Sequence, residues 1–290
     1  MHGIESVNSI KNINWYPGHM AKTKRKIQEE LKLVDIVIEI RDARIVEASK
    51  NPEIDKICKG KPRVILLNKY DLAEDKVTNK WVEKLKEDNV EVVLTNCVKG
   101  YGINEIKKAI DKLMKDKRER MESKGVLNFV TRAMVVGIPN VGKSSFINRM
   151  AKGKRAKTGD MPGVTRSNQW IKTDLGIELL DTPGVLWPKF KDQVVAQNLA
   201  FTGAIKDEIL NIEDLAYKLL ERLVVDYPEN LQERYKLDYV SDDPLETMEE
   251  IARKRGCLLK KGEINYDRVS VIILDEFRGG KIGKISIEKP

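Results

Sequence analysis

Residues 137–144, GIPNVGKS, have the composition and spacing of a loop that binds phosphate. The stretch fits the pattern GxxxxGK[ST], follows the β-branched run RAMVVG (132–137) and leads into SSFINRM, which is typical of a helix. In that context, backbone N–H groups and the positive end of a helix would face phosphate oxygens. The residues expected to contact the nucleotide here are Asn140, Val141, Gly142, Lys143, Ser144 and Ser145.

Side chains in and after this loop predict a magnesium site. Lys143 would neutralise the β- and γ-phosphates and act in catalysis, and Ser144 would ligate Mg²⁺. The sequence DTPG ends the apolar run IELLD, so Asp181 would hold Mg²⁺ through water and the Gly184 N–H would sense the γ-phosphate. Thr165 is the well-placed hydroxyl between these stretches for a second magnesium contact and a catalytic role; the alternative is an ordinary loop threonine.

A second stretch, NKYD, has the residues needed to read a guanine base. Asp71 would accept hydrogen bonds from N1–H and the 2-amino group, a donor pair that adenine lacks, which favours GTP over ATP. Asn68 would bridge the loops around the base, and the stem of Lys69 would lie along the ring. In TNCVKGYG, a backbone N–H near Asn96 would meet the guanine O6.

The elements that must position these residues alternate as an α/β sheet. Short β-branched runs predict buried parallel strands, with helical patterns between them, at 35–40, 63–68, 91–95 and 132–137. Residues 168–173 and 177–181 flank the turn DLG and predict a hairpin, hence one antiparallel edge pair. A basic helix is expected over 18–33.

The pattern changes after about residue 190, where apolar residues recur at helical intervals. Three or more helices are expected, among them 209–225, 244–256 and 265–280. The sequence therefore predicts two domains. Residues 1–190 would form the nucleotide domain with a basic N-terminal arm, and residues 191–290 would form a small all-α domain.

The order of the two motifs is unusual, because the base reader precedes the phosphate loop. Each motif nevertheless follows the C-terminal end of its own strand, where the pieces of one site would meet. A parallel sheet does not depend on where the chain begins, provided that the old ends can be joined. The order therefore predicts a circularly permuted P-loop GTPase sheet with flanking helices.

Composition limits the other possibilities. The net charge of +8 permits a polyanionic partner such as RNA. No apolar run is long enough to span a membrane, and the N-terminal sequence lacks a signal or transit pattern, so a cytoplasmic location is expected. Cys58, Cys97 and Cys257 are far apart without a metal-binding pattern and are expected to be buried thiols. A monomer is the default expectation.

With these motifs in hand, the sequence resembles the circularly permuted GTPases and, within them, the ribosome biogenesis GTPase A (YlqF-type) family. The resemblance rests on WYPGHMAKTKRKI, RDAR, NKYD, GIPNVGKS, PGVTR, DTPGVLWPK and FRGGKIGKISIE, which span nearly the whole chain. TNC at 95–97 departs from the expected Ser-Ala, but the contact there is from the backbone. The resemblance implies assembly of the large ribosomal subunit, with rRNA contacts by the helical domain.

The resemblance also bears on hydrolysis. Val185 follows DTPG, where Ras-like enzymes have a glutamine that orients water, so another group is needed. His19 is one of the 2 histidines, and the resemblance makes it the candidate for positioning water; an RNA or packing contact is the alternative. We expect a GTPase that is slow alone and stimulated by the large subunit. A GTP-dependent RNA- or protein-binding switch with negligible hydrolysis is the rival.

Two further expectations concern ions and RNA. Asn140 resembles the asparagine with which some GTPases hold K⁺, while a turn-forming asparagine is an equal alternative. A basic cluster in the helical domain would bind rRNA phosphates, although a solvated turn is the bland explanation. This cluster consists of Arg253, Lys254, Arg255, Lys260 and Lys261.

Overall fold

The computed structural model describes residues 25–151, 170–182 and 192–290. These residues divide into two compact units. The sheet unit contains 25–151, 170–182 and 288–290, and the helical unit contains 192–287. Among the helices described, none combines the length and apolar content that a membrane span requires.

The sheet unit is built on a 6-stranded sheet in the order β3-β2-β1-β4-β6-β5. All neighbouring strands are parallel except β5 and β6, which are antiparallel. This arrangement confirms the predicted α/β sheet with one antiparallel edge pair. The strands are β1 (Ile36–Asp42), β2 (Arg63–Asn68), β3 (Val90–Thr95), β4 (Thr131–Gly137), β5 (Trp170–Lys172) and β6 (Ile177–Asp181).

Helices follow the strands and cover the sheet. Ile27 and Val34 pack with Val37 and Met134, so the first helix lies against the central strands. Trp81 packs with a separate group of buried side chains that includes Leu67 of β2. The helices of this unit are α1 (25–31), α2 (Pro52–Ile57), α3 (Asp75–Leu85), α4 (Ile103–Leu113), α5 (Lys115–Ser123) and α6 (Lys143–Met150).

Strand β1 is buried along its whole length, yet it carries charged residues at its C-terminal half. Glu39 accepts hydrogen bonds from Arg41 Nε at 2.8 Å and from Arg63 Nη1 at 3.0 Å. Burial alone would raise the pKa of Glu39, but these two guanidinium groups outweigh it, and the net pKa is lowered. The central strand therefore tolerates buried charge because each charge has a partner.

The helical unit is all-α over the residues described, as predicted. Its interior is formed mainly by α8 and α11, whose buried residues, such as Leu219 and Ile273, recur at the spacing of one helix face. Asp192, Asn211, Asp243 and Asn265 accept backbone hydrogen bonds at helix N-termini. The helices are α7 (Gln193–Phe201), α8 (Ile212–Asp226), α9 (Pro228–Tyr235), α10 (Pro244–Arg255) and α11 (Tyr266–Arg278).

The last residues of the chain are part of the sheet unit. The Glu288 carboxylate accepts from the backbone N–H of Glu47 at 2.7 Å and of Ala48 at 3.1 Å. Its backbone N–H donates to Arg44 O at 3.1 Å, and its carbonyl accepts from Trp81 Nε1 at 3.3 Å. Glu288 thus stabilises the segment that directly follows β1.

Candidate functional site

The two predicted nucleotide motifs meet at one edge of the sheet. In the register of the central strands, Asp42 at the end of β1 lies beside Asn68 of β2, and Ile40 lies beside Gly137 of β4. The base reader and the phosphate loop therefore begin on either side of β1, at the carboxyl ends of parallel strands. This edge is where ligands bind in open α/β sheets.

The phosphate loop is shaped by Gly142, which has φ +106° and immediately precedes α6. A Cβ atom at this position would lie 2.2 Å from Asn68 Nδ2, so a larger residue would displace the base reader. Lys143 Nζ donates to Ile138 O at 3.2 Å, so its ammonium group lies close to the start of the same loop. A glycine-shaped turn that leads into a helix N-terminus is an arrangement suited to binding an anion.

Asn68 ties three segments of the site together. Its Nδ2 donates to Val141 O at 2.8 Å in the phosphate loop. Its Oδ1 accepts from the Cys97 N–H at 3.0 Å and from Thr95 Oγ1 at 3.4 Å. Asn68 is almost fully buried, so these bonds are protected from water. The structure thus shows Asn68 bridging the loops, as the sequence predicts.

Lys69 forms a second link between the base reader and the phosphate loop. It adopts a left-handed conformation with φ 59°, and its Nζ donates to Asn140 O at 2.9 Å. The same ammonium lies 3.0 Å from Asp42 Oδ2. Lys69 therefore joins the C-terminal end of β1 to the loop that would hold phosphate.

Asp42 was not recognised as a site residue from the sequence. Its carboxylate accepts from Arg44 Nε at 3.0 Å and Nη2 at 2.9 Å, in addition to its pair with Lys69. Burial alone would raise its pKa, but Arg44 and Lys69 hold the pKa of this carboxyl far below its usual range. The available signal was RDAR, which places opposite charges at the end of an otherwise apolar buried strand.

Asp71, the predicted guanine reader, lies in a short 3₁₀ turn, Tyr70–Leu72. Lys99 Nζ donates to its Oδ2 at 3.0 Å. Lys99 is 72% exposed, and an ion pair of this kind is weak and readily exchanged. The rings of Tyr70 and Tyr101 stack with centroids 4.3 Å apart, which holds the turn against the base loop.

The base loop, residues 95–101, is organised by Asn96. The Asn96 N–H donates to Tyr101 O at 3.2 Å, and its Oδ1 accepts from the Lys99 N–H at 2.8 Å. Its carbonyl accepts from the N–H groups of Gly100 and Tyr101. Within 96–101, the Val98 N–H is the backbone donor that meets no acceptor in the described parts of the chain. The donor near Asn96 that would meet guanine O6 is therefore best assigned to Val98.

The predicted magnesium ligands are described in part. Ser144 lies in the first turn of α6, and Asp181 ends β6 beside Val135 of β4. Loss of solvent around the Asp181 carboxyl raises its pKa, and the positive charge of Lys143 offsets only part of this increase. A hydroxyl and a carboxylate that lacks full charge compensation suit a hard divalent cation. Among the residues described, no three His, Cys, Asp or Glu side chains lie close enough together to hold a metal ion by themselves.

Three predicted site residues lie outside the described residues. These are His19, Thr165 and Gly184. The three cysteines are all buried, as expected. Burial raises the pKa of Cys97 to about 11, so this thiol beside the base loop stays protonated and unreactive at neutral pH.

Comparison with known proteins identifies the family. The family described as "50S ribosome-binding GTPase" matches residues 132–251. Ribosome biogenesis GTPase A of Bacillus licheniformis is 50% identical over 278 residues, which cover 96% of this chain and 98% of that protein. The chain belongs to the ribosome biogenesis GTPase A family. A member from Thermotoga maritima is 35% identical, over 96% of this chain and 95% of its own length.

Solved structures of this family support the same assignment. GNP-bound YlqF from T. maritima matches with a TM-score of 0.63 at 31% identity, over 93% of this chain and 98% of that chain. A GDP-bound YlqF structure matches with a TM-score of 0.61 at 30% identity, over 92% and 99% of the two chains. As a member of this family, the chain is a circularly permuted GTPase, which agrees with a base reader that precedes the phosphate loop.

Proposed function

We propose that this GTPase binds the precursor of the large ribosomal subunit in the cytoplasm and hydrolyses GTP during late assembly of that subunit. The observation that carries its nucleotide part is the pair of links from Asn68 to Val141 O and from Lys69 to Asn140 O. These links hold base reader and phosphate loop together, so the site is preorganised for a guanine nucleotide. The ribosomal part is supported by the family and by the net charge of +8.

Base recognition would use two groups, the Asp71 carboxylate and the Val98 N–H. The Asp71 carboxylate would leave Lys99 and accept from guanine N1–H and the 2-amino group. The Val98 N–H would donate to O6. Adenine would face Asp71 with an unprotonated ring nitrogen and Val98 with an amino group, so both contacts would fail.

Phosphate recognition would use the N–H groups of the loop from Asn140 to Ser145, together with the Lys143 ammonium. Ser144, Thr165 and Asp181 would hold Mg²⁺, and the Gly184 N–H would sense the γ-phosphate. The ion would neutralise charge on the phosphate oxygens. Lys143 would stabilise charge that develops between the β- and γ-phosphates, and the Thr165 hydroxyl would be the second hydroxyl ligand of the ion.

Hydrolysis would require a group that positions water, because Val185 cannot form a hydrogen bond from its side chain. We assign that role to His19 and expect the large subunit to bring it into place. The GTPase would then be slow alone and fast on the ribosome. The rival function is a GTP-dependent RNA- or protein-binding switch with negligible hydrolysis, which Val185 favours for the isolated protein.

The rate of GTP hydrolysis distinguishes the stimulated GTPase from the binding switch. GTP hydrolysis by the purified chain would be measured with and without large ribosomal subunits, for the wild type, His19→Ala and the matched control His2→Ala. We expect strong stimulation that His19→Ala reduces by about 10²-fold and that His2→Ala leaves intact. Flat turnover with intact GTP binding would support the binding switch, and full stimulation of His19→Ala would remove His19 from the mechanism.

Asn140 offers a potassium site as an additional proposal. Its backbone is left-handed with φ 57°, a conformation that asparagine favours in turns, and its carbonyl receives Lys69. A side chain oxygen at this point of the loop would add a ligand for a monovalent cation beside the phosphates. We expect faster hydrolysis in potassium than in sodium; equal rates would leave Asn140 with its turn role alone.

Contact with rRNA would come from the basic cluster of the helical unit. Three of its five residues lie beside acidic side chains. Arg253 is paired with Glu249 and Glu250, and Arg255 with Glu276. Lys254 lies 3.7 Å from Asp238. In the described parts of the chain Lys260 and Lys261 have no acidic partner, so we propose these two lysines as the phosphate contacts.

A further inference from the structure

Arg149 lies in the last turn of α6 and reaches the base loop. Its Nε donates to Cys97 O at 3.3 Å, and its Nη2 donates to Val98 O. The loop passes close to this guanidinium at Gly100, where a Cβ atom would lie 3.3 Å from Arg149 Cζ. Gly100 has φ +80°, so a glycine is favoured there by its backbone conformation as well as by the arginine.

The helix that carries Arg149 is firmly placed. It begins at Lys143 in the phosphate loop and buries Phe146, Ile147 and Met150. Arg149 points away from that buried face, and no carboxylate pairs with it among the residues described. Both of its hydrogen bonds go to carbonyl groups of the base loop. Its charge is therefore directed at that loop.

The hydrogen bond from Arg149 to Cys97 O also fixes the direction of a backbone N–H group. Cys97 C=O and Val98 N–H belong to the same planar trans peptide, so they point in opposite directions. By holding Cys97 O, Arg149 fixes the direction in which the Val98 N–H points. Asn68 holds the preceding N–H, that of Cys97, at 3.0 Å. Two side chains from separate elements thus fix the orientation of the loop donor.

We propose that Arg149 is a positioning residue for base recognition, which orients the Val98 N–H toward the O6 of a bound guanine. This inference rests on the proposed guanine nucleotide site and adds a specificity residue to it. Because Arg149 and the phosphate loop share α6, the base donor is placed relative to the phosphates by one rigid helix. A bidentate guanidinium suits this task better than a single ammonium.

The test pairs variants with base analogues. Dissociation constants of the full chain would be measured for GDP, for 6-thio-GDP, in which a weakly accepting sulfur replaces O6, and for IDP, which lacks the 2-amino group. The variants are Arg149→Gln, Arg149→Lys and the control Arg120→Gln, which removes an exposed arginine from α5 of the same unit. Thermal unfolding of each variant verifies the fold.

We expect Arg149→Gln to weaken GDP binding about fivefold, the range of one net hydrogen bond. The oxygen-to-sulfur penalty should shrink in this variant, because the donor that senses O6 is no longer held in place. The IDP penalty, which reports on Asp71, should stay as in the wild type. Arg149→Lys should fall between the two, and Arg120→Gln should match the wild type.

Unchanged GDP affinity in a folded Arg149→Gln would overturn the inference. So would equal weakening of GDP and 6-thio-GDP, because Arg149 would then act on the fold rather than on O6. If Arg149→Gln does not fold, Arg149→Lys carries the same comparison. A wild-type chain without preference for GDP over ADP would overturn the proposed nucleotide site itself, which is a separate result.

Discussion

Two carboxylates, Asp42 in the sheet unit and Glu276 in the helical unit, are each held by two cationic side chains. Asp42 pairs with Arg44 and Lys69, and Glu276 pairs with Arg234 and Arg255. Both are largely buried, and in both the net pKa is lowered by the partners against the effect of burial. The local chemistry of the two sites is therefore similar.

The two sites differ in the elements that their cationic partners connect. Lys69 continues from Asp42 to Asn140 O, so the pair at Asp42 reaches the phosphate loop. Arg234 belongs to α9, Arg255 to α10 and Glu276 to α11. The cluster at Glu276 therefore connects three helices of the helical unit. A buried ion pair thus positions a binding site in one unit and joins helices in the other. The role of such a pair therefore depends on which other residues its cationic partners contact.

The largest effect is expected for Asp42→Asn. The amide keeps the shape of the carboxylate but removes the buried negative charge that Arg44 and Lys69 contact, which should destabilise the sheet unit by about 3 to 5 kcal/mol. GDP affinity should also fall, because Lys69 is no longer held beside Asn140. Urea unfolding and GDP titration would measure both. A stable variant with wild-type GDP affinity would break the proposed link between Asp42 and the site.

Glu276→Gln should have a smaller effect, confined to the helical unit. Replacing one charged hydrogen-bond acceptor by a neutral amide should cost about 1 to 3 kcal/mol in the free energy of unfolding. GDP affinity should match the wild type, in contrast to Asp42→Asn. A loss of GDP affinity would show that this cluster also positions the nucleotide site and would remove the contrast between the two units.

The stabilisation from Glu276 should also depend on pH. Its pKa is lowered in the folded state, since Arg234 and Arg255 outweigh the effect of burial. The stabilisation is therefore fully present above the unfolded pKa of about 4.3 and is lost as the pH falls through the folded value. Unfolding of the wild type and of Glu276→Gln should converge in acid. A constant difference between pH 7 and pH 3 would contradict this.

A moderate effect is expected for RNA binding. The double substitution Lys260→Glu and Lys261→Glu should weaken binding to the large subunit and reduce its salt dependence, because both lysines lack acidic partners among the residues described. Arg253→Glu is the matched control, since Arg253 is already neutralised by Glu249 and Glu250. Pelleting with subunits over a range of salt would measure both. Equal losses would show that local ion pairs do not select the RNA contacts.

The smallest effect is expected for Lys99→Ala. Lys99 forms an exposed ion pair with Asp71, which guanine must displace. Its removal should tighten GDP binding by about fivefold or less, since such pairs contribute roughly 0 to 1 kcal/mol. Calorimetric titration would resolve the change. A marked loss of affinity would instead make Lys99 a ligand of the nucleotide.

The fold was largely predictable from the sequence, because buried parallel strands have distinctive composition. Strand β2 has the predicted bounds, and β1 extends past its apolar run to include Arg41 and Asp42. Helices α7 and α9 of the helical unit were not predicted individually; they have 9 and 8 residues, which give too short a pattern to detect. Local periodicity therefore sufficed for the longer helices of this unit and failed for the short ones.

Contacts between distant parts of the chain limited prediction of the site. Asp42 and Lys69 lie in different segments, and nothing in either segment shows that their side chains meet. The motif predicts a base loop, but which of its N–H groups lacks an acceptor among the described residues depends on hydrogen bonds that Asn96 makes with Lys99 and Tyr101. Motif residues were thus predictable by type, while the side chains that position them required coordinates.

We propose that the base reader and the phosphate loop, in permuted order, form one guanine nucleotide site. Exchange of base preference tests it most directly. Dissociation constants for GDP and XDP would be measured with the wild type and with Asp71→Asn, whose amide matches the xanthine edge. We predict that the wild type prefers GDP by at least about 10²-fold and that Asp71→Asn prefers XDP. Retention of GDP preference by Asp71→Asn would contradict the assignment of Asp71 and with it the single permuted site.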